Sequence, residues 1–431
     1  MTVPVEIGTP ARATSAGSEL GVTSAESNLG VTSAGSELGA TAGVGERSLE
    51  MIRRMVAFET VSRDSNVALI EWVRDWLERH GAIVRITWND ERSKANLFGT
   101  LPAGDGNVVR GGVVLSGHTD VVPVDGQPWS TPPFEATQID HRLYGRGCAD
   151  MKGFLAIGLA LVPEFQRRGL ARPLHFALSY DEEVGCIGVR KLIADVLAQG
   201  VAPAGCIVGE PTGMEVITAH KGRSSWRCRV RGHEAHSALA PRGVNAVQIA
   251  CELVADIAAR GRGFRDGGPH DHAYDVPYTT VHVGTIRGGT ALNIVPRDCE
   301  FEFEMRHLPA DDPDAFIAIL EQRARELAPA MHAVDRETYI AFDALSTTAG
   351  FDTEAHSAIV ALAHRCTAGS GCGKVSFGSE AGLFDRAGIA TVLCGPGYIA
   401  QAHQPDEWIG LDQLARCEAF MLRLADELAA G

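Results

Sequence analysis

From about residue 46 onward, apolar positions recur with two periods that alternate along the chain. Leu49, Ile52, Met55 and Val56 fall on one face of a helix predicted over Ser48 to Phe58. Val67 to His80 repeats that spacing and stops at Gly81. Ile83 to Trp88 and Ala95 to Gly99 read as strands. Val113-Val114-Leu115, within a strand predicted from Gly112 to Ser116, is an unbroken apolar run, the type expected of a central strand covered on both faces. An apolar helix follows at Phe154 to Phe165, then a buried strand at Leu174 to Ser179, a helix at roughly Val189 to Leu197, and a strand at Gly205 to Val208. This alternation predicts an α/β fold whose mostly parallel sheet is covered by helices. Three of its strands run into His or acidic residues at their C-terminal ends, where ligands bind in open α/β sheets.

The pattern then changes. Val216 to Ala219 and Ser224 to Val230 alternate like strands, a helix runs to Ala259, and strands follow at Tyr278 to Ile286 and Cys299 to Arg306. A helix from Pro313 to Leu327 completes a compact α+β unit, expected over residues 220–335 and inserted into a main domain formed by 46–219 and 336–431. In the last part, a helix is expected around Glu354 to Arg365, a strand at Ala390 to Cys394 and an amphipathic helix at Leu411 to Leu428. Residues 1–45 stand apart. A nine-residue unit rich in Ser, Gly, Ala and Thr repeats from Thr14, Thr23 and Thr32, with too little apolar surface to offset chain entropy. It is expected to be a disordered tail, and it has neither the basic nor the apolar region of a secretory signal.

Composition narrows the function. At 431 residues, 45% hydrophobic and 22% charged, the chain is an ordinary globular protein. A net charge of −15 argues against nucleic-acid binding, because a phosphate backbone wants a basic face. No apolar run approaches the roughly 20 residues that span a bilayer. The ten cysteines follow no disulfide or zinc-finger spacing. Cys148, Cys186, Cys206, Cys228, Cys251 and Cys394 sit in apolar settings and read as reduced, mostly buried thiols of a cytoplasmic protein, with Cys372 the exposed exception.

The chemistry-bearing residues cluster at strand ends and Gly-rich loops. His118 closes the strand after Leu115, and Asp120 two residues on is placed to face the same way and accept from the second imidazole nitrogen. Asp150 sits in Gly145-Arg146-Gly147-Cys148-Ala149-Asp150, just before the apolar helix. Glu182 and Glu183 follow the strand at Leu174, Glu210 follows the strand at Gly205, and His403 lies in a late Gly/Pro loop. His118, Asp150, Glu183, Glu210 and His403 make a set of two imidazoles and three carboxylates that suits zinc, cobalt or manganese. Shared between two ions with one bridging carboxylate, such a set holds a hydroxide and polarises a carbonyl. Glu182 is then free to handle protons. Glu380, in a Gly-flanked loop, is a candidate to meet a substrate amine.

Five motifs in this order resemble the di-zinc aminoacylase and carboxypeptidase family. They are Gly117-His118-Thr119-Asp120, the Gly145 to Gly153 loop, Asp181-Glu182-Glu183-Val184-Gly185, Gly209-Glu210-Pro211-Thr212 and Gln401-Ala402-His403. The resemblance covers roughly Ser48 to the C-terminus and is nearest to the acetylornithine deacetylase branch. It implies that Asp150 bridges two zinc (or cobalt) ions, that His118 and Glu210 complete one site, and that Glu183 and His403 complete the other. It implies that Asp120 orients and polarises His118 and that Glu182 is the general base. It also implies that His236, in the inserted domain, acts across a homodimer on the partner's tetrahedral oxyanion. Asn293 and Arg306 resemble positions that bind the substrate α-carboxylate. The inserted domain would then be both lid and dimer interface. The implied substrate is a small N-acyl amino acid, N2-acetyl-L-ornithine, in a pathway of arginine biosynthesis. The alternatives are another N-acyl amino acid, succinyl-diaminopimelate, a dipeptide, or a silent relative that only binds such compounds.

Overall fold

The computed structural model describes residues 43–367 and 371–430. The repeat segment, expected to be disordered, lies outside the described residues.

Nine strands form the main sheet, in the order Ile83–Trp88, Ala95–Leu101, Leu174–Ser179, Val113–His118, Gly205–Pro211, Thr391–Gly395, Val216–His220 and Phe351–Asp352, with Cys372–Val375 also on Val216–His220. The four central strands, Leu174–Ser179, Val113–His118, Gly205–Pro211 and Thr391–Gly395, are parallel. The sheet is antiparallel on either side of them, at Ala95–Leu101 and at Val216–His220. Every residue of Val113–His118 and Leu174–Ser179 is buried, which explains their unbroken apolar runs.

Side-chain alternation divides these strands between two cores. Val113 and Leu115 pack with Phe154 and Phe420 under the helices Lys152–Ala160 and Leu411–Ala429. Val114 points the other way and packs with Val189, Leu192 and Phe384 under Ile187–Ala198 and Ala381–Arg386. The apolar helix expected over Phe154 to Phe165 is in fact two, Lys152–Ala160 and Val162–Arg168. Pro163 stands in the first turn of the second, where its missing N–H costs nothing.

A second, four-stranded antiparallel sheet has the order Thr280–Gly288, Asp298–His307, Gly222–Arg231, Tyr339–Thr348. Its buried residues Trp226, Cys228, Val230, Phe301 and Phe303 pack against the helices Ala246–Gly267 and Pro313–His332. Tyr339–Thr348 extends this sheet past residue 335, where the inserted unit was expected to end. That strand is only half-buried and carries Asp343, Ser346 and Thr347, so its sequence lacks a clear alternation. The chain crosses between the sheets at Lys221–Gly222 and again at Ala349–Gly350. A Cβ on Gly350 would lie 2.7 Å from the Gly222 nitrogen, so the two crossings touch because both residues are glycine. Cys251, expected to be buried, is exposed on the helix Ala246–Gly267, while Cys372 is exposed as expected. Among the described residues, no helix is long and apolar enough to cross a membrane.

One close contact ties the main sheet to its covering helix beside a candidate ligand. A Cβ on Gly209 would sit 2.0 Å from the ring of Phe154, which is fully buried. Gly209→Ala is expected to cost about 1–3 kcal/mol through overpacking. The measurement is the thermal or urea midpoint, and a midpoint equal to wild type would show that the contact is not limiting.

Candidate metal centre

Each parallel strand ends beside the next at one edge of the sheet. His118 is the last residue of Val113–His118, and Glu210 is the next-to-last of Gly205–Pro211. Asp150 is delivered by the Gly-rich loop ahead of Lys152–Ala160, through a cis Asp150–Met151 peptide bond. Glu182 and Glu183 follow Leu174–Ser179 in the turn that leads into Ile187–Ala198. His403 comes from the loop before Trp408–Gly410 and has a left-handed φ of 61°, a conformation that non-glycine residues keep only where their surroundings hold it.

These residues meet as two groups. The ligand atoms of His118, Asp150 and Glu210 lie within 4.8 Å of one another, and so do those of Asp150, Glu183 and His403. Asp150 is common to both. Its Oδ1 is 3.1 Å from His118 Nε2, and its Oδ2 is 3.2 Å from His403 Nε2. Glu183 also reaches His403 Nε2, at 3.1 Å. His118 is almost wholly buried and His403 half exposed, so one group is deep and the other opens to solvent.

The electrostatics follow from crowding like charges. Burial raises the Glu210 carboxyl well above the usual range, and the charges of Asp150 and Glu182 push it further. Burial, with Glu183 and Asp120 nearby, lifts Glu182 to about 8, although His118 opposes this. Hydrogen bonds to Asp150 and Glu183 raise His403 to about 10. Burial disfavours charge on His118, yet the contact with Asp150 holds its imidazole well above its ordinary value. In this arrangement the carboxylates favour positive charge at the imidazoles. Divalent cations would supply that charge better, and the mixed imidazole–carboxylate donor set fits them.

Asp120 meets His118 through a different atom than expected. The Nδ1 of His118 donates to the backbone carbonyl of Asp120 at 2.8 Å, while the nearer carboxylate oxygen stands 3.6 Å off. The strand ends at His118, so the two-residue alternation no longer applies and the carbonyl turns back toward the ring. The Asp120 carboxylate instead accepts from the Ser62 hydroxyl at 2.7 Å and from the N–H groups of Glu182 and Glu183 at 3.1 and 3.3 Å. It holds the Glu182-Glu183 turn in place. Glu182 itself accepts from the thiol of Cys186 at 3.2 Å.

A cavity of about 200 Å³ opens over both groups and includes Arg223 and Arg306, which reach in from the four-stranded sheet. Sequence reading missed Arg223. No local signal marked it, because what places it is the strand register, which sets Arg223 directly opposite Arg306 on the neighbouring strand. Arg306 donates to Glu304 at 3.0 Å, and Arg223 donates to Ser346 at 3.0 Å while its Nε is buried without a partner. His236 and Asn293 are both exposed and neither lines this cavity in its own chain. They lie close together, with the Asn293 carbonyl accepting from Ser237 N–H at 2.9 Å, and His236 Nδ1 accepts from Ala238 N–H at 3.1 Å. Glu380 does not face the cavity. It is fully buried beneath the strands, accepting from the Ser116 and Ser179 hydroxyls at 2.6 and 2.7 Å, so it is not placed to meet a substrate. Among the described residues, a larger cavity of about 390 Å³ on the four-stranded sheet, beside Arg229, Arg287 and Tyr339, has no converging ligand set.

The family model "Peptidase family M20/M25/M40" matches residues 114–427. The acetylornithine deacetylase of Pasteurella multocida (strain Pm70) is 32% identical over 391 residues, spanning 89% of this chain and 98% of that protein. Among solved structures, the aminopeptidase PepT of Bacillus cereus ATCC 10987 aligns with a TM-score of 0.71 at 21% identity, covering 90% of this chain and 99% of that one. A Bacillus subtilis dinuclear metal-binding peptidase of the M20 family aligns with a TM-score of 0.62 at 14% identity, covering 89% and 98%. With that family match lying over the two ligand groups, this chain belongs to peptidase family M20/M25/M40 and is a metal-dependent hydrolase.

Proposed function

We propose that the chain is a di-metal amidohydrolase that removes the acetyl group from N2-acetyl-L-ornithine, giving acetate and L-ornithine, a step of arginine biosynthesis. The observation that carries the hydrolase reading is the pair of ligand groups sharing Asp150, with the protonatable Glu182 in the same cavity. The similarity to the Pasteurella multocida deacetylase supports the substrate. Two zinc ions, or cobalt, held by His118, Asp150 and Glu210 and by Asp150, Glu183 and His403, would polarise the scissile carbonyl and acidify the attacking water. Glu182 takes the proton of that water and passes it to the leaving amine. Its carboxylate lines the same cavity as Asp150, Glu183 and Glu210, which places it to accept the proton and to return it. Asp120 orients this base through the two backbone N–H groups it receives.

Arg306 and Arg223 face the substrate α-carboxylate. Because there are two such guanidiniums, a second reading has a specific observation behind it: a substrate with a further carboxylate, such as succinyl-diaminopimelate. We further propose that the four-stranded unit is a lid and homodimer interface, which would bring the partner's copies of His236 and Asn293 to this cavity. The ten unpaired cysteines support a reducing, cytoplasmic location.

Five expected outcomes test this. Purified protein stripped of metal should be inactive and regain amide hydrolysis with zinc or cobalt. Turnover should be strongest on N2-acetylornithine beside N-acetylmethionine and succinyl-diaminopimelate, and a preference for the last would select the second reading. Zinc returned to the stripped chain at ~100 times its Kd should stabilise the fold by about 2.7 kcal/mol per site, read as a higher melting midpoint. Glu182→Gln should bind zinc nearly as wild type does and lose ~10²–10⁴-fold in kcat; a rate near wild type would remove Glu182 from its assigned role. Mixing His236→Ala with Glu182→Gln chains should restore part of the activity, whereas no recovery after verified subunit exchange would rule out action across the dimer.

A further inference from the structure

We propose that Glu407, paired with Arg146, is a positioning residue that locks the shared carboxylate Asp150 against His403 and so shapes the more exposed of the two cation sites. This rests on the di-metal reading above.

Glu407 touches neither cation position nor the cavity. Its carboxylate is nevertheless surrounded by donors from the loop that presents Asp150. One oxygen accepts from the backbone N–H groups of Ala149 at 2.9 Å and Asp150 at 3.1 Å. The other accepts from Gly147 N–H at 3.0 Å and from Arg146 Nη1 at 2.8 Å. Converging backbone N–H groups of this kind form an anion-binding nest, and here the anion belongs to the protein. Gly147 makes the nest possible, since its φ of 85° lies in the left-handed region and a Cβ there would stand 2.9 Å from Val121.

The other end of the tie is the His403 loop. Glu407 is four residues beyond His403 and leads into Trp408–Gly410, which pairs antiparallel with Arg142–Tyr144 at the start of the Asp150 loop. The Gly145 N–H donates to the Glu407 carbonyl at 2.9 Å, extending that register. Arg146 is spanned between the two loops. Its Nη2 donates to Gln127 Oε1 at 2.7 Å, its guanidinium lies 5.0 Å over the Trp129 ring, and Gln127 Nε2 donates to the His403 carbonyl at 3.4 Å. Both side chains of the ion pair are 1% exposed.

The consequence is geometric. Asp150 and His403 come from loops more than 250 residues apart in sequence, as the Asp150–Glu407 bond also does. Their ligand atoms must nevertheless stay near the 3.2 Å separation seen here. A charged nest with both oxygens engaged holds the Asp150 backbone in one position relative to the His403 loop. An amide in its place would turn an NH2 group toward N–H donors, because Gln has only one accepting oxygen. Groups that orient metal ligands from behind typically matter 10–100-fold in metal affinity.

The test is a stepwise zinc titration of the metal-free chain against a competing chelator, with kcat and KM on the best substrate and the melting midpoint of the metal-free form. Wild type should take two zinc ions. Glu407→Gln should take the first with less change and the second at least tenfold more weakly. Its kcat should fall with KM within about twofold, and zinc in excess should recover part of the loss. A residue that only stabilises the fold would lower the metal-free midpoint and leave the zinc affinities of the folded chain as they were, and that result would overturn the inference. If Glu407→Gln does not fold, Arg146→Lys decides by the same titration. It keeps the charge but gives up the fork to Glu407 and Gln127, and unchanged second-site affinity in it would likewise overturn the inference. A wild-type chain that takes fewer than two zinc ions would instead overturn the di-metal reading, and this inference with it.

Discussion

Placing Asp150, Glu182, Glu183 and Glu210 around one small cavity is an electrostatic problem that the rest of the structure is arranged to solve. Removing one carboxylate from water costs several kcal/mol even after relaxation, and like charges nearby add to this. The strain shows in Glu210 and Glu182, whose protons are held far more tightly than in water. Two imidazoles offset part of it, and a pair of divalent cations would offset the remainder. The same cations would make the site a hydrolytic one, so the cost of burying the carboxylates and the chemistry they support have one origin.

The fold answers this by distributing the site. No single segment holds more than two of its groups. His118 and Glu210 come from adjacent parallel strands, Asp150 from a glycine loop, the Glu182-Glu183 turn from the next strand, and His403 from a loop near the end of the chain. Parallel strands packed on both faces are rigid, and their C-terminal ends lie side by side, so ligands there inherit the precision of the sheet. The loops lack that support and are tied individually. Asp120 holds the Glu182-Glu183 turn by its backbone, and Glu407 holds the Asp150 loop in the same way. In each case a buried carboxylate accepts backbone N–H groups next to a ligand, which fixes position without using the ligand's own oxygens.

The four-stranded sheet contributes what the main sheet lacks. The side of the cavity formed by the candidate ligands is acidic, while Arg223 and Arg306 bring positive charge over it from neighbouring strands. The anionic substrate proposed above would meet guanidiniums on one wall and the carboxylates and imidazoles on the other. This division follows from the chain leaving the main sheet at Lys221–Gly222 and returning at Ala349–Gly350. Those two glycine crossings place the second sheet above the strand ends.

Taken alone, the amino-acid order determined the elements, the ligand types and the family resemblance. Periodicity reports burial directly, so Leu174–Ser179 and Ile83–Trp88 were legible to the residue, and His, Asp and Glu at strand ends or in glycine turns announce themselves locally. Only the tertiary structure decided how those residues combine. That Asp150 is shared was implied by the family resemblance alone and not by any local pattern, because it depends on loops far apart in sequence. That the Asp120 carboxylate accepts backbone N–H groups while its carbonyl takes the imidazole N–H depends on where the strand stops. That Glu380 is buried while Arg223 reaches the cavity depends on which neighbour each strand acquires. Tyr339–Thr348 was invisible as a strand because its partner, not its own polarity pattern, makes it one. Local sequence carries local burial and chemistry; pairing between distant segments is set by the packing of the whole chain, which no single stretch records.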